Sequence, residues 1–181
     1  IAMMEPKSRS DKNMKGLAKI AAQQLSDPTG PSVAIFDIGG FDTHADQGGD
    51  NGEHAKKLKQ FDDVIGTLRK QMGKTFNNTI IASLTEFGRT MSQNGGSGTE
   101  HGYGTAILMA GGLLPKSRII SDWPGLEKKN LFEGRDLNSS IDARAVYASI
   151  LARVLESDHK KIVKDAFFNS DLPDMTKRIF L

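Results

Sequence analysis

The chain has 181 residues, room for one domain with a sizeable core, and its 38% hydrophobic and 25% charged content reads as globular rather than disordered or fibrous. A net charge of +2, with basic residues spread along the chain, lacks the electrostatic footprint of a nucleic-acid binder. The absence of cysteine excludes disulfides, thiolate nucleophiles and cysteine-based metal sites.

No apolar run nears the roughly 18 residues a membrane span needs. The start, Ile1-Ala2-Met3-Met4-Glu5, shows no charged-then-apolar export pattern, and a chain beginning with isoleucine reads as one that has lost its natural beginning. Over residues 11–25, Met14, Leu17, Ala18, Ala21, Ala22 and Leu25 recur at helical spacing, and Asp27-Pro28-Thr29-Gly30-Pro31 closes the helix. The run Val33-Ala34-Ile35-Phe36 then predicts a strand covered on both faces, as in a parallel sheet. Residues 55–72 carry Leu58, Phe61, Ile65, Leu68 and Met72 at spacings of three and four, and a second apolar run covers residues 79–84. Strand, helix, strand in that order predicts a right-handed crossover with parallel strands.

A third apolar run, residues 106–110, is joined to the second by a glycine-rich stretch without helical pattern. Since a parallel return normally needs a helical crossover, this strand is expected to run antiparallel. Residues 141–155 form a further helix capped by Asp142 or Ser140. The fold class expected is therefore α/β: a central, mostly parallel sheet flanked by helices, with one antiparallel strand, in a single domain over residues 1–181.

In such folds ligands bind beyond the carboxyl ends of the strands. The first strand leads into Gly39-Gly40-Phe41-Asp42-Thr43-His44 and the second into Thr85-Glu86-Phe87-Gly88-Arg89-Thr90. An antiparallel third strand would bring Gly98-Thr99-Glu100-His101-Gly102 to the same edge. Two histidines and up to three carboxylates, without thiolate, suit Zn2+, Mn2+ or Mg2+ in a hydrolytic site. Each motif also has a plainer reading: Asp42 as a turn former, Glu86 as a salt-bridge or capping residue, and the whole cluster as an ion-pair network on Arg89 or Arg144. Arg89 suits an anionic substrate or a pairing with Glu86 or Asp42. The loop 94–98 suits either an anion cradle of backbone N–H groups or a mobile surface turn. His54 and His159 read as solvated.

Taken in order, Gly39 to His44, Glu86 to Thr90, Gly98 to Gly102 and Asp142-Ala143-Arg144-Ala145-Val146-Tyr147 resemble the motifs of domain of unknown function family 1501, across residues 15–173. That family is similar to the alkaline phosphatase and sulfatase superfamily. The resemblance implies an alkaline-phosphatase-like fold of which this chain is the C-terminal part, its N-terminal half being absent. It implies one or two divalent ions, Zn2+ foremost, held by Asp42, His44, Glu86, Glu100 and His101, with Arg89 on the substrate. Glu100 departs from the Asp more usual in the family before this histidine, and no residue matches the superfamily's nucleophile. The expected activity is hydrolysis of phosphate or sulfate esters on a small molecule or glycan, in an exported, periplasmic protein. The alternative is a non-catalytic exported binding or structural protein. An incomplete sheet would also expose an edge that favours self-association.

Overall fold

The structure, a computed structural model, describes residues 2–3, 14–168 and 171–181. The chain divides into two compact units, Ile1–Asn77 with Ser92–Glu100, and Asn78–Met91 with His101–Leu181.

In the first unit β1 (Ala2–Met3) pairs in parallel with β2 (Ala34–Ile35). Two helices make its core. α1 (Met14–Ser26) buries Ala18, Ala21 and Ala22, a stripe of small side chains on one face, and α2 (Glu53–Met72) buries Val64, Leu68 and Met72 at intervals of four. These helices pack on each other, and Lys15 pairs with Asp63 at 3.1 Å across them. The chain leaves α1 through a turn in which the Asp27 carboxylate accepts from both the backbone N–H and the hydroxyl of Thr29.

In the second unit β3 (Ile81–Ala82) pairs antiparallel with β6 (Met109–Ala110), and β4 (Gly88–Arg89) antiparallel with β5 (His101–Gly102). The antiparallel course expected of the third apolar run is what is found. Three helices cover the core: α3 (Ala143–Val154), α4 (His159–Phe167) and α5 (Thr176–Phe180). Ala145, Val146, Ala148, Ile150, Val163, Leu172, Met175 and Ile179 are buried there, with Ile80, Ala82, Ile107 and Met109 packed against them. Asp142 caps α3 by accepting from the Arg144 N–H, and Asp158 caps α4 through the Lys161 N–H. The Tyr147 hydroxyl donates to the Ser83 carbonyl and ties α3 to the end of β3.

The expected central parallel sheet is not present. The protein is 41% helical, and among the described residues every sheet is a pair of strands two residues long. The alkaline-phosphatase-like α/β class is overturned with it. An apolar run favours burial but does not choose a partner, which tertiary context decides. Here β2 pairs with the N-terminal strand, which the sequence reading missed, and β3 with β6. The runs are also not covered on both faces, since Ile35 is 60% exposed and Leu84 is 75% exposed.

Candidate functional site

The site in the first unit is made by two loops. One follows β2 through Asp42 and His44; the other runs from Ser92 to Glu100. They meet at a bridge between Ala45 and Ser97, and Thr99 N–H donates to the Thr43 carbonyl at 3.1 Å. Glycine at position 98 is what permits this approach. A Cβ there would lie 2.3 Å from the His44 carbonyl carbon and 2.6 Å from the Ala45 nitrogen, both backbone atoms that cannot step aside.

Two side chains lock the loops together. The Asn94 amide oxygen accepts from the N–H groups of Gly96 and Gly98, each at 2.9 Å, so its NH2 group must face the other way. That group donates to the His44 carbonyl at 2.8 Å and to Glu100 Oε1. Gln47 Oε1 accepts from the Thr43 hydroxyl at 2.8 Å and from the Thr99 hydroxyl at 3.1 Å, one from each loop. Of the two readings of loop 94–98, the anion cradle is displaced, because the Gly96 and Gly98 N–H groups are directed at Asn94; Gly95, Gly96 and Ser97 are exposed, as in a surface turn.

At the centre stands His44. Its Nδ1 is 2.9 Å from Glu100 Oε2 and its Nε2 is 3.1 Å from Asp42 Oδ1. All three side chains are about half exposed. A neutral imidazole has one N–H, so if Nδ1–H donates to Glu100, the Nε2 lone pair faces a carboxylate lone pair. A metal ion placed on that side would make this contact favourable. Two atoms bound at about 2.1 Å to one ion sit roughly 3.0–3.4 Å apart at octahedral or tetrahedral angles. The Asp42–His44 separation of 3.1 Å fits that range, and the donor set suits a borderline or hard divalent ion.

The remaining predicted residues belong to the second unit. Arg89 and His101 are cross-strand partners in the β4–β5 pair. The His101 ring stacks on Phe87, with centroids 3.7 Å apart, and the Arg89 guanidinium lies 6.0 Å from the centroid of the Phe87 ring. Glu86 is exposed in the turn before β4. The structure thus gathers Asp42, His44 and Glu100 in one unit, and Arg89 and His101 in the other. Glu100 and His101 are joined by the peptide bond at which the chain passes between units. Gly88 lets the β4–β5 pair form: a Cβ there would sit 1.9 Å from the Gly104 carbonyl oxygen.

Of the ion-pair network weighed as a plain reading, Arg144 is accounted for: it binds Asp142 two residues away, and its guanidinium holds that carboxyl below the usual carboxylate range. His54 and His159 are not simply solvated. His54 Nδ1 and His159 Nε2 are buried without a hydrogen-bond partner among the described residues, and the His54 ring meets Phe41 edge-on at 5.8 Å. Sequence reasoning missed Gln47 and, although it singled out loop 94–98, the part Asn94 plays in joining the two loops; the Asn94-Gly95 pair is a turn signal that marks the loop but not that bond.

The fold and site define an α-rich chain of two units, one of which presents an exposed imidazole held between two carboxylates. Residues 3–167 match the family described as "Protein of unknown function (DUF1501)", and the chain belongs to that family. No curated protein and no solved structure matches the chain. Among the described residues no helix is long and apolar enough to cross a membrane.

Proposed function

We propose that the protein is a metal-dependent hydrolase of phosphate or sulfate esters, related to the alkaline phosphatase and sulfatase superfamily and exported to the periplasm. The observation that supports it best is His44 with a carboxylate at each ring nitrogen, the Asp42 side being spaced as two ligands of one ion would be. The superfamily relation rests on the order of the motifs and not on the fold. Export rests on the same resemblance.

In this reading Asp42 and His44 hold the ion, with Zn2+ before Mn2+ or Mg2+. His101 and Glu86 are further ligands proposed from their motifs. When bound, such an ion polarises a phosphoryl or sulfuryl oxygen and can lower the pKa of its water toward about 7. The protein's own residues do the rest. Arg89 offers a fork of N–H donors to the anionic ester, and Glu100 and Asn94 hold the imidazole. One observation favours the alternative of an exported binding protein without catalysis: the Thr43 and Thr99 hydroxyls, which flank the site, both donate to Gln47.

Metal analysis of protein purified without chelator or affinity tag, followed by calorimetric titration with Zn2+ and Mn2+, tests the metal. Assays on aryl phosphate and aryl sulfate test the reaction. Stoichiometric binding that disappears in His44→Ala, with ester cleavage that follows the metal, is expected. Binding without cleavage selects the alternative, and unchanged binding in His44→Ala removes the site.

A further inference from the structure

Resting on the reading of His44 as a ligand, we infer that Glu100 is a positioning residue and not itself a metal ligand, and that Asn94 acts through it. Both Glu100 carboxylate oxygens are engaged: Oε1 takes the Asn94 NH2 group and Oε2 faces His44 Nδ1 at 2.9 Å. The orientation of Asn94 is not free, because its oxygen serves two backbone N–H groups of its own turn. A fixed amide therefore fixes a carboxylate, and once an ion takes the Asp42 side that carboxylate holds the remaining ring proton at Nδ1. Nδ1 becomes the donor and Nε2, 3.1 Å from Asp42, is left with the lone pair that an ion requires. A carboxylate on the far nitrogen also makes the imidazole a stronger base toward the metal. Glu100 lies 56 residues from His44, so the contact comes from the pairing of the two loops rather than from local sequence.

The test is nitrogen-15 NMR of the histidine side chains in the metal-free protein at alkaline pH, where the ring carries one proton, combined with Zn2+ titration. His44 is expected to hold a larger share of the Nδ1–H form in the native chain, where Glu100 competes with Asp42 for the ring proton, than in Glu100→Ala, where Asp42 alone draws it to Nε2. Zn2+ affinity should fall by roughly 10–100-fold in that variant, the effect usual for a group behind the ligand, but not vanish as in His44→Ala. Glu100→Gln, whose single side-chain oxygen can serve either the Asn94 NH2 group or His44 Nδ1–H, should fall between the native chain and Glu100→Ala in tautomer and affinity; a directly bound carboxylate would be lost equally in both. Asn94→Ala should move the tautomer the same way by a smaller amount. A native protein that binds no Zn2+ overturns the metal reading. A native protein that binds Zn2+ with a His44 tautomer indifferent to Glu100→Ala overturns the positioning role alone.

Discussion

At the scale of single residues, the site depends on backbone approach as much as on its charged groups. Half-exposed ion pairs of the kind Asp42 and Glu100 make with His44 contribute at most about 1 kcal/mol each, so they do not hold the loops together. The closure at Gly98 and the bonds of Asn94 and Gln47 do. Gly98→Ala should therefore cost about 1–3 kcal/mol, the usual range for overpacking, and should lower Zn2+ affinity by separating His44 from Glu100. Gly95→Ala, in the same turn but with no atom within 4 Å of the added Cβ, should change stability by less than about 0.5 kcal/mol. Thermal denaturation of the two variants side by side checks this, and equal losses would show that crowding at His44 is not the cause. Asp42, His44 and Glu100 could be read from sequence because ionisable residues flanked by glycine stand out. Gln47 could not, and Asn94 only as part of a turn, since a polar residue that bonds its neighbours looks like any other polar loop residue until the loops are paired.

Helices and strands differed in how much of them could be read. The repeating apolar positions of α1, α2 and α3 marked all three helices, and Asp142 was expected as a cap. The helix α4 escaped because Asp158-His159-Lys160-Lys161 reads as a solvated charge run, although Ile162, Val163, Ala166 and Phe167 follow at helical spacing. Strands two residues long carry no periodicity, so their pairing could not be foreseen beyond the antiparallel return of β6. The cap on α3 allows a pH test. Arg144 lowers the Asp142 pKa in the folded state, so the charge stabilises the fold above the ordinary carboxylate range near pH 4, and that stability is lost as pH falls through the lower folded value. Asp142→Asn keeps a good cap but not the charge. It should melt below the native protein at pH 7, with the gap closing as the pH drops under about 4. A gap that does not narrow would mean that the ion pair with Arg144 contributes nothing. Ser149, fully buried on α3, donates to the Ala145 carbonyl and accepts from the Met175 N–H, both at 2.8 Å. Ser149→Ala leaves that buried N–H without an acceptor, and a loss of about 1–3 kcal/mol is expected in denaturant unfolding.

At the scale of the whole molecule, the sequence pointed to the family but not to the division of the chain. Hydrophobic pattern records that a segment is buried, and it does not record against what. The runs at 33–36 and 79–84 look alike in sequence yet belong to different units. The division makes a metal reading testable without activity. An ion that binds only the folded state stabilises it by RT ln(1 + [L]/Kd), about 2.7 kcal/mol at a concentration one hundred times Kd. If Asp42 and His44 hold the ion, the part of the chain that must be folded to present them gains that stability. Their loop lies between β2 and α2, and α2 is packed on α1, so local opening of these helices should become rarer when the ion is bound. Amide hydrogen exchange should therefore slow in the cores of α1 and α2 on adding Zn2+, around Ala21, Ala22, Val64 and Leu68. In His44→Ala the same amides should exchange at one rate with and without the ion. Slowing confined to α3 and α4 would place the ligands outside the Asp42–His44 loop, and no slowing in the native chain would count against an ion held by Asp42 and His44.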